Sequence, residues 1–177
     1  MPANKSMTEA SVLVPVYRGS SGELRLILIR RSDNGVHGGH LAFPGGKRDA
    51  GDRSMLDTAL REAREEIGIP EDRIEILAEL PPTETRTTGF RVHAFLGRVI
   101  QPVAWKRNER EIAQIMDLSV TELVDGEVLD EDVGLSGDAS APRRTPYYRV
   151  GDDQLWGLSF RILHGVIPRL LAGEWKV

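Results

Sequence analysis

The segment "SMLDTALREAREEIGI", residues 54–69, constrains this chain more than any other stretch. Its apolar residues Leu56, Ala59, Leu60, Ala63 and Ile67 recur at three- and four-residue steps, the period of a helix and not of a strand. Ser54 with Asp57 three residues on resembles a capping box, and Gly68 stands where helices commonly end, so the pattern predicts a helix over 54–67. At about 100° per residue, Glu62, Glu65 and Glu66 fall within roughly 100° of one another, and the apolar stripe is centred roughly 110° from Glu62. Such a helix can bury one face and show three carboxylates on another. Glu62 and Glu66, four apart, repel by about 0.2–0.5 kcal/mol if unpaired. Arg61 can pair with Glu65, but no basic residue is spaced to pair with both Glu62 and Glu66. Hard divalent cations take oxygen ligands. Two readings stand at this point: a solvated charged face, the commoner fate of such runs, or a metal site.

The preceding segment, "FPGGKRDAGD", moves the balance toward the metal site. Gly45 and Gly46 allow a tight turn and close backbone approach to a ligand. Lys47 and Arg48 bring positive charge, and Asp49 and Asp52 add oxygen ligands. A Walker A loop is excluded, because with Lys47 as its lysine the first glycine would fall at Leu41 and the Ser/Thr position is Arg48.

Around this centre the chain reads as one mixed domain over residues 1–177. "SVLVPVYR" (11–18) and "LRLILIRR" (24–31) are β-rich and separated by the turn "GSSGE"; "HLAF" is a short strand candidate. "RIEILAEL" (73–80), "FRVHAFLGRVI" (90–100) and "YYRV" (147–150) read as further strands, and "SVTELVD" (119–125) as a short helix. "LWGLSFRILHGVIPRLLAG" closes the chain as an apolar helix, which Pro168 is expected to kink or to end near Gly165. Residues 1–10 and 130–146 are the expected flexible stretches. Strands interspersed with two substantial helices place the chain in the α/β or α+β range. There is no cysteine, which excludes disulfides, thiolate metal sites and a cysteine nucleophile. A net charge of −4 argues against a nucleic-acid-coating surface. No apolar run approaches the roughly 20 residues of a spanning helix. The N-terminus carries no apolar leader, so a cytoplasmic protein with no membrane partner is expected.

The acidic segment resembles the Nudix box: Gly, five residues, Glu, seven residues, then Arg-Glu-apolar-x-Glu-Glu-x-Gly-apolar. Arg61, Glu62, Ala63, Glu65, Glu66, Gly68 and Ile69 match its second half without exception. In the first half, Gly46 followed by five residues reaches Asp52 in place of Glu, and eight residues, not seven, separate Asp52 from Arg61. That spacing, with "LILIRRS", "HGGHLAFPGG", "ELPPTETRTTGFRV" and "WGLSFRIL", is similar to the coenzyme A diphosphatase branch of the family. Asn34, Gly35 and Val36 stand where that branch usually carries a basic residue.

The resemblance implies an α/β fold, an α/β/α sandwich around a mixed β-sheet with the box as a loop–helix–loop. It implies hydrolysis of a nucleoside diphosphate derivative with Mg²⁺ or Mn²⁺. For CoA, the favoured substrate, the products would be 3′,5′-ADP and 4′-phosphopantetheine. Glu62, Glu65 and Glu66 would hold the metal, which neutralises the diphosphate and lowers the pKa of a bound water. Arg61 would orient the carboxylates, and Gly45, Gly46, Lys47 and Arg31 would face the substrate. Glu111, with Glu109 as competitor, would supply a base or further ligand from outside the box. A homodimer is left open.

Several other residues have a bland reading beside a functional one. His37 and His40 flank glycines, but loop histidines are more often structural or solvated. Arg143 and Arg144 suit a phosphate, yet incidental charge on a surface loop is the commoner case. Trp156 and Phe160, four apart, are expected to fill the core and not to stack on adenine. Two rival functions remain: a diphosphatase for ADP-ribose or another nucleotide derivative, and a non-catalytic nucleotide-binding module.

Overall fold

Thr8–Arg18 (β1) and Leu24–Arg31 (β2) alternate between two buried faces, and this alternation sets the layers of the molecule. Val14, Val16, Leu24, Leu26 and Leu28 point into one apolar cluster, while Leu13, Tyr17, Ile27 and Ile29 point to the other side. The two strands pair antiparallel around a turn in which Gly19 N–H donates to Glu23 O at 2.9 Å. The computed structural model describes residues 7–32, 38–85, 88–101, 104–128 and 145–177. The strand begins at Thr8 and not at Ser11, so three of the ten N-terminal residues expected to be flexible lie in the sheet, paired with Phe90–Val92.

The remaining elements are Leu41–Ala42 (β3), Gly45–Lys47 (β4), Met55–Ile67 (α1), a 3₁₀ turn at Glu71–Arg73, Ile74–Glu84 (β5) and Phe90–Val99 (β6). After them come Ile112–Ser119 (β7), Val120–Asp125 (α2), Glu127–Val128 (β8), Tyr147–Val150 (β9), Asp153–Trp156 (β10) and Gly157–Leu171 (α3). Among the described residues the main sheet has seven strands in the order β3-β2-β1-β6-β5, with β4 beside β1 and β7 beside β2. β1 and β6 run parallel and the other pairs antiparallel, which is the mixed sheet expected. Helix α1 covers one face through Ala59 and Ala63 against Leu13 and Phe95, and α3 covers the other. A smaller sheet, β10-β9-β8, lies on the α3 side.

Three local expectations are corrected by packing, and one open segment is settled by it. Strand β5 runs on through Pro81 and Pro82 to Glu84, because it is an edge strand and its register slips between Leu80 and Thr83. "IAQIMDLS", a segment open to strand or helix in the sequence, becomes β7 because it completes the free edge of β2. Leu155 and Trp156 belong to β10, ahead of the last helix. Helix α3 passes through Pro168 unbroken: the proline sits on the solvent side, where water can satisfy the carbonyl it releases, while Phe160, Leu163, Val166, Ile167 and Leu170 stay buried. Among the described residues no helix is long and apolar enough to cross a membrane.

Candidate active site

The loop Pro44–Arg53 and helix α1 form one electrostatic unit. Ser54 caps the helix by accepting from Asp57 N–H at 3.0 Å, and Gly68 ends it with φ +74°, a left-handed conformation that suits glycine. Arg61 is the organiser. Its guanidinium donates to both Asp52 oxygens at 3.0 and 3.1 Å, to Glu62 Oε1 at 3.0 Å, to Glu65 Oε2 at 3.2 Å and to Lys47 O at 3.1 Å. Asp52 also accepts from Thr58 Oγ1 and from Asp49 N–H, both at 2.9 Å. Its carboxyl is held well below the usual range, chiefly by Arg61. The expectation that Asp52 adds a metal ligand is therefore corrected: Arg61, Thr58 and Asp49 N–H engage its carboxylate inside the loop, and it does not line the cleft. Thr58, which is buried, was not singled out in the sequence, because a threonine in a helix carries no such signal.

The three box glutamates, grouped on one face by helix geometry, meet three environments. Glu65 is exposed and held by Arg61. Glu62 is half-buried, and Glu66 is only 1 % exposed. Glu66 Oε2 accepts from Gly45 N–H at 2.8 Å, and Arg31, arriving from the end of β2, lies 3.7 Å from Oε1. Arg31 also donates to Gly45 O at 3.0 Å, so it ties β2, the glycine loop and the buried carboxylate together. Burial pushes the Glu66 carboxyl up to about 7, with Arg31 and Gly45 N–H opposing and Glu62 and Glu111 adding to the rise. Burial also raises Glu62, Arg61 opposes, and Glu65 and Glu111 reinforce.

The glycines are required by proximity. A Cβ on Gly46 would stand 2.2 Å from Glu62 Oε1, and one on Gly45 would stand 2.3 Å from Ser11 O. Glu111 reaches the same region because its loop is pinned twice: Asn108 N–H donates to Glu66 O at 2.9 Å, and Ser32 N–H to Glu111 O at 2.8 Å. Glu109 pairs with Arg107 on the surface and is not part of the cleft lining.

Glu62, Glu66 and Glu111 open into one cleft of about 810 Å³, a volume suited to a small-molecule ligand. Arg31, Gly45, Gly46 and Lys47 line it too, the Lys47 ammonium lying 5.6 Å from the centre of the Phe90 ring. His40 and Trp156 reach the cleft, whereas Phe160 is in the core as expected. His37, Arg143 and Arg144 lie outside the described residues.

The donor set fits a hard divalent cation. Glu62 and Glu111 raise the charging cost of buried Glu66, and Glu111 that of Glu62, a conflict that a cation relieves. Among the described residues no three His, Asp or Glu side chains close a cage by themselves. That agrees with the habit of Mg²⁺, which takes one or two carboxylates and completes its shell with substrate phosphates and water.

A mixed sheet between helical layers, with acids delivered by a loop–helix unit into a cleft, defines an α/β protein with a candidate divalent-metal site. The family model of the NUDIX domain matches residues 7–134, and the chain belongs to the Nudix hydrolase family, whose members hydrolyse phosphorus-containing acid anhydrides with divalent metal ions. It is 34% identical over 157 residues to the uncharacterized Nudix hydrolase NudL of Pectobacterium atrosepticum, covering 88% of this chain and 79% of that protein. NudL of Yersinia enterocolitica is 40% identical over 114 residues, covering 64% of this chain and 57% of its own length. Among solved structures, the Nudix hydrolase RenU of M. smegmatis superposes with a TM-score of 0.66 at 15% identity, over 97% of this chain and 89% of that one. The NUDIX domain of Shewanella oneidensis NrtR, complexed with ADP ribose, gives a TM-score of 0.54 at 19% identity, over 71% and 81%.

Proposed function

We propose that this chain is a Mg²⁺- or Mn²⁺-dependent diphosphatase acting on coenzyme A or a CoA derivative, releasing 3′,5′-ADP and 4′-phosphopantetheine or its acyl form. The observation that carries the diphosphatase reading is the convergence of Glu62, Glu66 and Glu111 in one cleft, beside the Gly45–Gly46 backbone. CoA is favoured by the eight-residue spacing between Asp52 and Arg61 and by the segments outside the box that are similar to the CoA branch.

Each residue has a place in the reaction. Glu62 and Glu66 would hold the cation, and Glu65, exposed and paired with Arg61, would complete the set. When bound, that cation would neutralise the diphosphate and lower the pKa of a bound water. Arg61 orients Glu62 and Glu65 and anchors the loop through Asp52, a supporting role that keeps ligands in position. Arg31 offsets the charge of Glu66 and lines the cleft. Lys47 stands at the cleft for a phosphate oxygen. Glu111 takes the proton of the incoming water. Water adds to one phosphorus, the bridging P–O bond breaks, and the departing phosphate keeps its electrons.

ADP-ribose is the second reading, favoured by the likeness of the fold to the NUDIX domain of NrtR, which was solved with that ligand. A non-catalytic module has little in its favour, since a pure binder need not retain mutually repelling acids. The test is a panel of CoA, acyl-CoA, ADP-ribose and dinucleotides with Mg²⁺ or Mn²⁺, products being identified by mass. Release of 3′,5′-ADP from CoA supports the proposal, and preference for ADP-ribose selects the second reading. No turnover of any diphosphate removes both.

A further inference from the structure

We infer that Trp156, with His40 beside it, is the platform on which the purine base of the substrate stacks. This rests on the nucleotide-diphosphatase reading and adds the part of the site that selects the nucleotide. Trp156 differs from the aromatic and aliphatic residues around it. Leu155 and Phe160 are buried in the core, whereas Trp156 is only partly buried and lines the cleft wall. It meets the exposed His40 ring with centroids 5.5 Å apart and planes at 71°. Two rings at that angle make a corner that accepts a flat heteroaromatic group, face against one ring and edge toward the other.

The corner is linked to the acidic end of the same cleft by a short chain of contacts. His40 O accepts from Arg31 N–H at 3.1 Å, and the Arg31 guanidinium is 3.7 Å from Glu66. Trp156 is held there by the pairing of β10 with β9 and by the Arg30–Asp153 ion pair, which joins β10 to β2. Ser159 and Arg161 line the same cleft. Such polar groups favour a nitrogen-rich base over an apolar arm, because covering them with hydrocarbon would leave their hydrogen bonds unmade. Trp156 also lies beyond residues 7–134, so this wall is supplied outside the segment that matches the family's shared domain.

Adenosine 3′,5′-bisphosphate carries the base and no diphosphate bond, which makes it a suitable probe in the presence of Mg²⁺. The other two tryptophans are packed elsewhere, Trp105 against Tyr17 and Trp175 under Arg169. Titrating the bisphosphate into the wild-type protein is expected to change tryptophan emission saturably, and Trp156→Phe is expected to abolish that signal while keeping affinity within about threefold by calorimetry. Base–aromatic stacking predicts that Trp156→Ala raises the Kd, and the KM of any hydrolysed nucleotide, about tenfold with kcat reduced less than threefold. An unchanged KM in Trp156→Ala overturns the inference. So does an emission change produced by 4′-phosphopantetheine and not by the bisphosphate. If Trp156→Ala fails to fold, the wild-type and Trp156→Phe titrations still decide. Absence of turnover removes the proposed reaction, whereas absence of an emission change with turnover intact removes only this platform.

Discussion

Glu66 concentrates the electrostatic conflict of the site. An ordinary glutamate carboxyl titrates near 4.5, and in the fold burial moves this one up to about 7. Between those values the folded state binds more protons than the unfolded chain. The stability contributed by this residue is therefore fully present below about pH 4.5 and lost as pH rises through 7. At about 1.4 kcal/mol per pH unit the loss is on the order of 3 kcal/mol. Glu66→Gln keeps an acceptor for Gly45 N–H. In chelator, its stability relative to the wild type is expected to be higher at pH 8 than at pH 5 by up to about 3 kcal/mol, as read by urea unfolding. A gap that does not grow with pH would contradict the burial argument. The same substitution, and Glu62→Gln, should each cut turnover about 100-fold or more at saturating metal while leaving the fold intact. Near-normal rates in either variant would remove it from the ligand set. Arg61 and Asp52 show the limit of residue-level reading. Helix spacing revealed the Arg61–Glu65 pair, but only the turn of the loop shows Asp52 bound to Arg61 and lost to the metal.

At the scale of elements, the glycine loop and its helix make opposite predictions for neighbouring residues. A methyl group at Gly46 meets the end of the Glu62 side chain, which can swing away; Gly46→Ala should cost less than about 1 kcal/mol of stability yet lower turnover at least about tenfold by displacing a ligand. A methyl at Gly45 meets the β1 backbone, Ser11 O at 2.3 Å and Val12 Cα at 2.7 Å, so Gly45→Ala should disrupt the β4–β1 pairing and show a markedly lowered Tm. Thermal melts beside a rate assay separate the two. Helix α1 was legible in full, cap and terminator included, because its signals are local. Strand β7, open to strand or helix in the sequence, and the full length of β5 were not, since an edge strand and a proline pair acquire their structure from the neighbour they pair with.

For the whole molecule, metal binding and folding are linked. An ion that binds only the folded state, present at about 100 times its Kd, adds roughly 2.7 kcal/mol. For a chain of this size that corresponds to a Tm rise of about 5–10 °C. Mg²⁺ should produce it at pH 8, and chelation should reverse it. Glu66→Gln should lose most of the effect; a full rise in that variant would place the ion elsewhere. The cleft itself is a property of this scale. Its walls come from β1, β2, the glycine loop, α1, the loop before β7, and the β10–α3 junction, segments spread over most of the chain. By itself the sequence determined the family, the layered α/β class, helix α1 and the identity of its acids, because capping, periodicity and motif spacing act over a few residues. Only the tertiary structure decided which of three neighbouring glutamates is buried, that Asp52 serves Arg61, that Glu111 and not Glu109 reaches the cleft, and that Trp156 lines it instead of filling the core. Those outcomes depend on desolvation and on partners from distant strands, and neither is encoded in the spacing of residues along one element.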